Sequence, residues 1–483
     1  MNQPIPPTSA QTPSPAAHAA ERLEVAGRRV HLVGIGGCGM SGLARIVRGY
    51  GGHCTGSDHA ASPVTAALQA DGIDVVLEQT ARTVPADCEL VIASAAIRPN
   101  HPEIAEARRR GLPVLKYAQA LGRLMIGRTG IAVAGTHGKS TTTAMAAHAM
   151  IEAGVDPTLI IGATCGQIGG GSRLGREDLL LAEACEYDRS FHNFHPTISA
   201  VLNLEEDHLD IYGSLDAIVE AFNRFARLTH PDGLLLIGHE GAQRTAVAAG
   251  VTCRVETIGF APQATWSIRT RRDHRGHQFI VVRHEGVPVC EFALQLPGEH
   301  MAYNAAVAAV LAHHAGGAWD RIAAALERFA GLDRRMQDLG EHRGVKVIDD
   351  YGHHPTEIST TLRALRQHYD PAARDGRVIC VFQPHQHSRT RFLLEQFATS
   401  FSEADVVIVP HIYFVRDSDA DRRAVSAADL VAKLRARAVE AMHIDPFDQI
   451  VDWLEANARP GDLLVVMGAG PVWQVARQFM QRK

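Results

Sequence analysis

The chain has 483 residues, a formal net charge of −5, 46% hydrophobic and 21% charged residues. This composition fits a folded globular chain and argues against disorder or a coiled coil; near-balanced charge argues against nucleic-acid binding. No run approaches the roughly 18 apolar residues a membrane helix needs, so no membrane insertion is expected. At about 150 residues per domain, the length predicts about three domains. None of the eight cysteines forms a C-x-x-C pair. Free thiols in a reducing cytoplasm are expected, rather than a zinc cluster or a disulfide framework.

Residues 1–20 are rich in Pro, Ala, Ser and Thr and lack the basic start and apolar core of a secretory signal. They read as a flexible tail. From there apolar strand-like runs alternate with helical patterns, which predicts an α/β chain with parallel sheets. The first block, 21–125, has strand-like runs at Arg29–Gly34, His53–Asp58, Glu89–Ser94 and Pro113–Lys116, with a helix near Met40–Tyr50. The second, 126–330, has Gly130–Gly135, Leu179–Glu183, Thr197–Asn203 and Gly233–Gly238. Alternation between about 265 and 295 predicts a small antiparallel appendage. The third, 331–483, has Val345–Asp349, Arg377–Phe382, Asp405–Val409 and Asp462–Met467.

Two glycine turns carry chemistry. Gly34, Gly36 and Gly39 form G-x-G-x-x-G between a strand and a helix. There the backbone N–H groups and helix N-terminus suit a diphosphate. Asp58 ends the next strand, a position suited to a ribose hydroxyl. Alone, this turn fits a dinucleotide enzyme such as an NAD-dependent dehydrogenase, or a ligand-free connection. The second turn is Gly135, Thr136, His137, Gly138, Lys139 and Ser140, followed by Thr141. Its Gly-Lys-Ser end has the parts of a nucleoside-triphosphate loop: N–H groups for phosphates, a lysine for their charge, a hydroxyl for Mg²⁺. Val133 stands where the strict pattern has its first glycine. Two such turns in one chain point to one nucleotide as energy source and another as part of a substrate.

With both turns placed, the chain resembles the Mur ligases, ATP-dependent amide-forming enzymes of peptidoglycan synthesis. Within them it is most similar to members joining L-alanine to UDP-N-acetylmuramate. The likeness runs from about Arg29 to the C-terminus. Its motifs are Val33–Ser41, Gly135–Ser140, Asn203–His208, Asp349–Thr356, Phe382–His385 and Ser388–Arg391, in that order.

The resemblance implies an N-terminal Rossmann-like domain for the UDP-sugar, a central P-loop-type ATPase domain and a C-terminal Rossmann-like domain for the amino acid. It implies ATP with Mg²⁺ (or Mn²⁺), an acyl-phosphate intermediate, and a monomer or homodimer. Gly34, Gly36, Gly37, Gly39, Met40, Ser41, Asp58 and Ser94 fall to the UDP-sugar. The second turn, with His300, Asn304, Arg335 and Asp350, falls to ATP. Lys139 holds phosphates; Ser140, Glu183 and His208 hold metal; Tyr351, His353, His385, Arg389 and Arg391 serve the amino acid. Read without the resemblance, Glu183 is more readily a buried paired carboxylate and His208 a hydrogen-bonded loop histidine than metal ligands, and Arg391 is equally a solvated helix start. Cys185, Met301, Gln386, Pro471 and the Phe414–Arg416 segment depart from commoner family residues. A murein-peptide ligase acting on the same UDP-sugar is the nearest alternative function.

Overall fold

The computed structural model describes residues 21–272, 278–415 and 417–482; the tail expected at 1–20 lies outside them. Three sheets follow one another along the chain. The first holds β1 (Arg29–Val33), β2 (His53–Ser57), β3 (Asp74–Val76), β4 (Leu90–Ala93) and β5 (Val114–Lys116). Its order is β3-β2-β1-β4-β5, all parallel. Consecutive parallel strands need crossover helices, and this order is doubly wound.

The central sheet has ten strands. They are β6 (Thr129–Ala134), β7 (Thr158–Cys165), β8 (Gly170–Arg173), β9 (Leu179–Glu183), β10 (Ile198–Val201), β11 (Leu234–Gly238), β12 (Arg254–Gly259), β13 (Trp266–Arg272), β14 (Gln278–His284) and β15 (Val287–Leu294). The order is β15-β14-β13-β12-β11-β10-β6-β9-β7-β8. The antiparallel strands β13–β15 are as the alternation predicts, but they are no detached appendage. Trp266 and Ser267 of β13 pair in parallel with Ile258 and Gly259 of β12, so the ladder continues.

The third sheet holds β16 (Gln337–His342), β17 (Val345–Asp350), β18 (Val378–Phe382), β19 (Val406–Val409), β20 (Glu440–His443) and β21 (Leu463–Met467). Its order is β16-β17-β21-β18-β19-β20, parallel except for β16.

Strands such as Leu463–Met467 are buried throughout, as expected for parallel strands covered on both faces. Each fully buried Leu, Ile or Val contributes about 1.5–3 kcal/mol over its exposed state. The helices Lys139–Glu152 and Glu299–His314 pack on each other and are buried on nearly every side. Their alanines allow close approach and favour the helix. This packing fixes the second glycine turn against the start of the later helix.

Candidate functional site

The chemistry-bearing loops follow the carboxyl ends of parallel strands, the usual ligand edge of such sheets. In the first domain the turn between β1 and the helix Cys38–Gly49 has Gly34 at φ +77°, a backbone glycine adopts without strain. The Gly36 N–H donates to Asp58 Oδ2 at 2.8 Å. A Cβ on Gly39 would stand 2.8 Å from the Tyr117 ring. Gly37 is the N-cap of the helix.

Three of the first-domain residues have partners within the protein. Asp58 holds the turn itself, its other oxygen accepting the His59 N–H. Met40 packs in the apolar core, and the Ser41 hydroxyl donates to the Cys38 carbonyl of its own helix. Both side-chain contacts stabilise the helix. Ser94, next to β4, accepts from Lys116 through its carbonyl at 3.3 Å.

The second turn joins β6 to the helix Lys139–Glu152. Gly138 sits at φ +81°, and a Cβ there would meet Asn304 Oδ1 at 2.7 Å. Asn203 fixes the loop: its Oδ1 accepts from the His137 N–H at 2.8 Å and its Nδ2 donates to the His137 carbonyl at 3.1 Å. The Thr136 hydroxyl accepts the Glu205 N–H at 2.9 Å. Lys139 Nζ donates to the Gly135 carbonyl at 2.6 Å and lies 2.9 Å from Glu186 Oε2. Burial lowers the lysine's pKa, but Glu186, with Cys185 and Glu183, outweighs this and holds it above the ordinary value.

Ser140 Oγ donates to Glu183 Oε2 at 2.9 Å, and that oxygen also accepts the Gly162 N–H. A hydroxyl and a carboxylate converging beside a phosphate loop are oxygen donors that fit Mg²⁺. His208 lies on the same cleft, its Nε2 3.8 Å from Glu186 Oε1. Burial lowers its pKa while Asp207 opposes.

A cavity of about 180 Å³ opens beside the loop and is lined by His137, Gly138, Thr141, His300, Asn304, Arg335 and Asp350. Seven residues expected to serve ATP thus share one space. Burial takes His300 down to about 4, leaving it neutral. Asp350 accepts from the Met336 and Gly352 N–H groups, at 2.7 and 2.6 Å. Burial raises it to about 6, against the pull of Arg335.

A neighbouring cleft of about 330 Å³ is shared by Lys139, Ser140, Glu183, His208, Arg335, Tyr351, His353, His385 and Arg389. It therefore joins central and C-terminal domains. Burial, aided by Arg389, takes His353 down to about 4.

Two expectations about the amino acid change. Arg389 is 7% exposed and directs Nε and Nη2 onto Asp207 Oδ1, at 3.1 and 2.9 Å. Its fork is committed to a protein carboxylate. Burial raises Asp207, but Arg389 and then His208 outweigh it and hold the carboxyl well below the usual range. Arg391 is not brought to the cleft: its side chain is 44% exposed and reaches Asp421 at 3.3 Å. Their side chains leave the helix on opposite sides, since residues two apart stand about 200° apart around its axis and do not share a face.

Sequence reasoning passed over Glu186, Asp207 and Glu357. Glu357 accepts the His353 and His354 N–H groups and lies 3.1 Å from His137 Nδ1. The run His354-Pro-Thr-Glu357 carried a signal, an N-cap followed three residues later by Glu. Asp207 lies inside the Asn203–His208 motif without a signal of its own, and Glu186 carried only its place near Glu183.

Three family models match in succession. They are the Mur ligase family, catalytic domain, over residues 29–129; the Mur ligase middle domain over 133–312; and the Mur ligase, glutamate ligase domain over 334–470. The chain is 40% identical over 457 residues to a UDP-N-acetylmuramate–L-alanine ligase of Pelotomaculum thermopropionicum, covering 94% of this chain and 97% of that one. It is 36% identical over 459 residues to the enzyme of the same name from Acetivibrio thermocellus, covering 94% and 96%. Among solved structures, the UDP-N-acetylmuramate–alanine ligase of Thermotoga maritima superposes with a TM-score of 0.77 at 27% identity, covering 94% of this chain and 98% of that one. Three sheets in this order, a lysine-bearing loop at the middle one and near full-length identity lead to one conclusion: the chain belongs to the Mur ligase family.

Proposed function

We propose that the protein joins L-alanine to the carboxylate of UDP-N-acetylmuramate at the expense of ATP, in the synthesis of peptidoglycan precursors. The observation that carries this reading is the shared cleft. Phosphate-loop, metal-type and amino-acid-type side chains converge there from two domains. Identity to two ligases named for this reaction, over nearly the whole chain, supports it. A dehydrogenase would leave Lys139 and the Ser140–Glu183 pair without a task.

Joining a carboxylate to an amine in water is uphill, so the carboxylate is first phosphorylated and phosphate then leaves as the amine attacks. Catalysis of phosphoryl transfer is mostly alignment and charge neutralisation. Lys139 exchanges Glu186 and the loop carbonyls for phosphate oxygens. Ser140 and Glu183, with His208 beside them, would hold Mg²⁺, which when bound neutralises phosphate charge. Asn203 keeps the loop N–H groups aimed at the phosphates by tying His137 down. Arg335 faces both cavities and suits an anion at their junction. The contacts between central and C-terminal domains enclose the reacting groups and exclude water that would hydrolyse the acyl phosphate. No helix among the described residues is long and apolar enough to cross a membrane. We place the reaction in the cytoplasm, where its soluble substrates would be met.

The test is ADP release with UDP-N-acetylmuramate against a panel of free amino acids and the murein tripeptide. Release with alanine is expected. Release with tripeptide and none with alanine would transfer the reading to a murein-peptide ligase.

A further inference from the structure

His137 and Glu205 of the central domain and His354 of the C-terminal domain form a cluster that the ligase reading does not use as a unit. One ligand atom from each lies within 4.8 Å of the other two. Glu205 Oε2 is 3.5 Å from His137 Nε2 and 3.9 Å from His354 Nδ1. Ligand atoms around a tetrahedral ion with bonds of about 2.0–2.2 Å stand roughly 3.3–3.6 Å apart, so small side-chain shifts suffice.

The surroundings are those of a metal site. His137 Nε2 is buried, and the group that faces it is Glu205 Oε2, at 3.5 Å. Its other ring nitrogen is 3.1 Å from Glu357 Oε1, an arrangement that orients a ligating histidine. His354 Nε2 faces the Glu206 carbonyl at 3.2 Å. Thr356 Oγ1 donates to Glu205 Oε2 at 2.6 Å. A carboxylate, a carbonyl and a hydroxyl thus each support one candidate ligand. Competing claims on His354 come from its own helix: the Thr356 N–H stands 3.3 Å from Nδ1, and the capping box turns the Glu357 N–H toward the same side chain. His137 and Glu205 also line the 180 Å³ cavity, which leaves room for water as a fourth ligand.

We propose that His137, Glu205 and His354 form a second divalent-metal site, for zinc-class ions rather than Mg²⁺, that staples the C-terminal domain to the phosphate loop. Two imidazoles and one carboxylate select Zn²⁺, Co²⁺ or Ni²⁺, whereas Mg²⁺ wants oxygen. The ion displaces the ring proton from His137 Nε2, as metal binding to histidine generally requires. Because its ligands come from two domains, bound metal opposes the opening that releases product. Excess zinc then acts as a brake even with Mg²⁺ saturating.

The test uses the full chain, stripped with chelator and held in excess Mg²⁺, with Co²⁺ as the spectroscopic probe and Zn²⁺ as competitor. One equivalent of Co²⁺ should give the intense visible bands of four-coordinate cobalt, and Zn²⁺ should abolish them. His354→Asn keeps a capping side chain for its helix, and Glu205→Gln keeps the volume. Each should weaken Co²⁺ binding at least about tenfold. His208→Ala should leave the bands in place. Only weak six-coordinate absorption, equal binding by both ligand variants, or loss of the bands in His208→Ala would overturn the proposal.

Discussion

At the scale of single residues, what a charged side chain does is set by what it already holds. Lys139 is held by Glu186 and two loop carbonyls, a set that phosphate oxygens can replace. Lys139→Ala should lower ligation at least about a hundredfold. Calorimetric affinity for UDP-N-acetylmuramate should stay within about twofold, since the first glycine turn sits in another domain. Arg389 and Arg391 belong to one short helix yet have opposite fates. Arg391→Ala should leave the KM for alanine unchanged in initial-rate assays. Arg389→Ala strands a buried carboxylate on Asp207 and should cost about 3–5 kcal/mol, read as a lowered denaturation midpoint.

At the scale of elements, the helix Pro355–Tyr369 meets the phosphate loop through its capping residues. Glu357 serves as the third residue of the capping box and as the partner of His137. Burial lowers the His137 pKa, but Glu357 and Glu205 overcome this and raise it to about 9. The ordinary value is about 6.5. A histidine whose pKa is higher in the folded state stabilises that state fully below the ordinary value. The contribution is lost as pH rises through the folded value. Thermal denaturation should therefore show stability falling between about pH 6.5 and pH 9. Glu357→Gln should flatten that fall.

At the scale of the whole molecule, the central and C-terminal domains share one apolar core cluster and are tied by polar contacts, of which Asp207–Arg389 is the most buried. Asp207–Arg389, His137–Glu357 and Thr356–Glu205 all cross between them. Residues of both domains complete the cleft in this arrangement. Asp207→Ala removes the most buried of these ties and should enlarge the radius of gyration in small-angle scattering. An unchanged radius would mean that the remaining contacts hold the domains without it.

Much of this was legible in the chain. Strands such as Leu463–Met467 are continuous apolar runs because both faces are covered, and that pattern is local. The glycine turns are local too, since Gly34 and Gly138 stand where φ is positive. Strands lacking such a signature were passed over: Glu440–His443 is a short edge with one buried residue, and Thr158–Cys165 is broken by Gly162. Tertiary structure decided which groups meet. Arg389 and Asp207 are 182 residues apart, and His137 and Glu357 are 220 apart. No spacing rule reaches across such separations. A free arginine and a committed one look alike in sequence, because the difference lies in a partner that only the packing of two domains supplies.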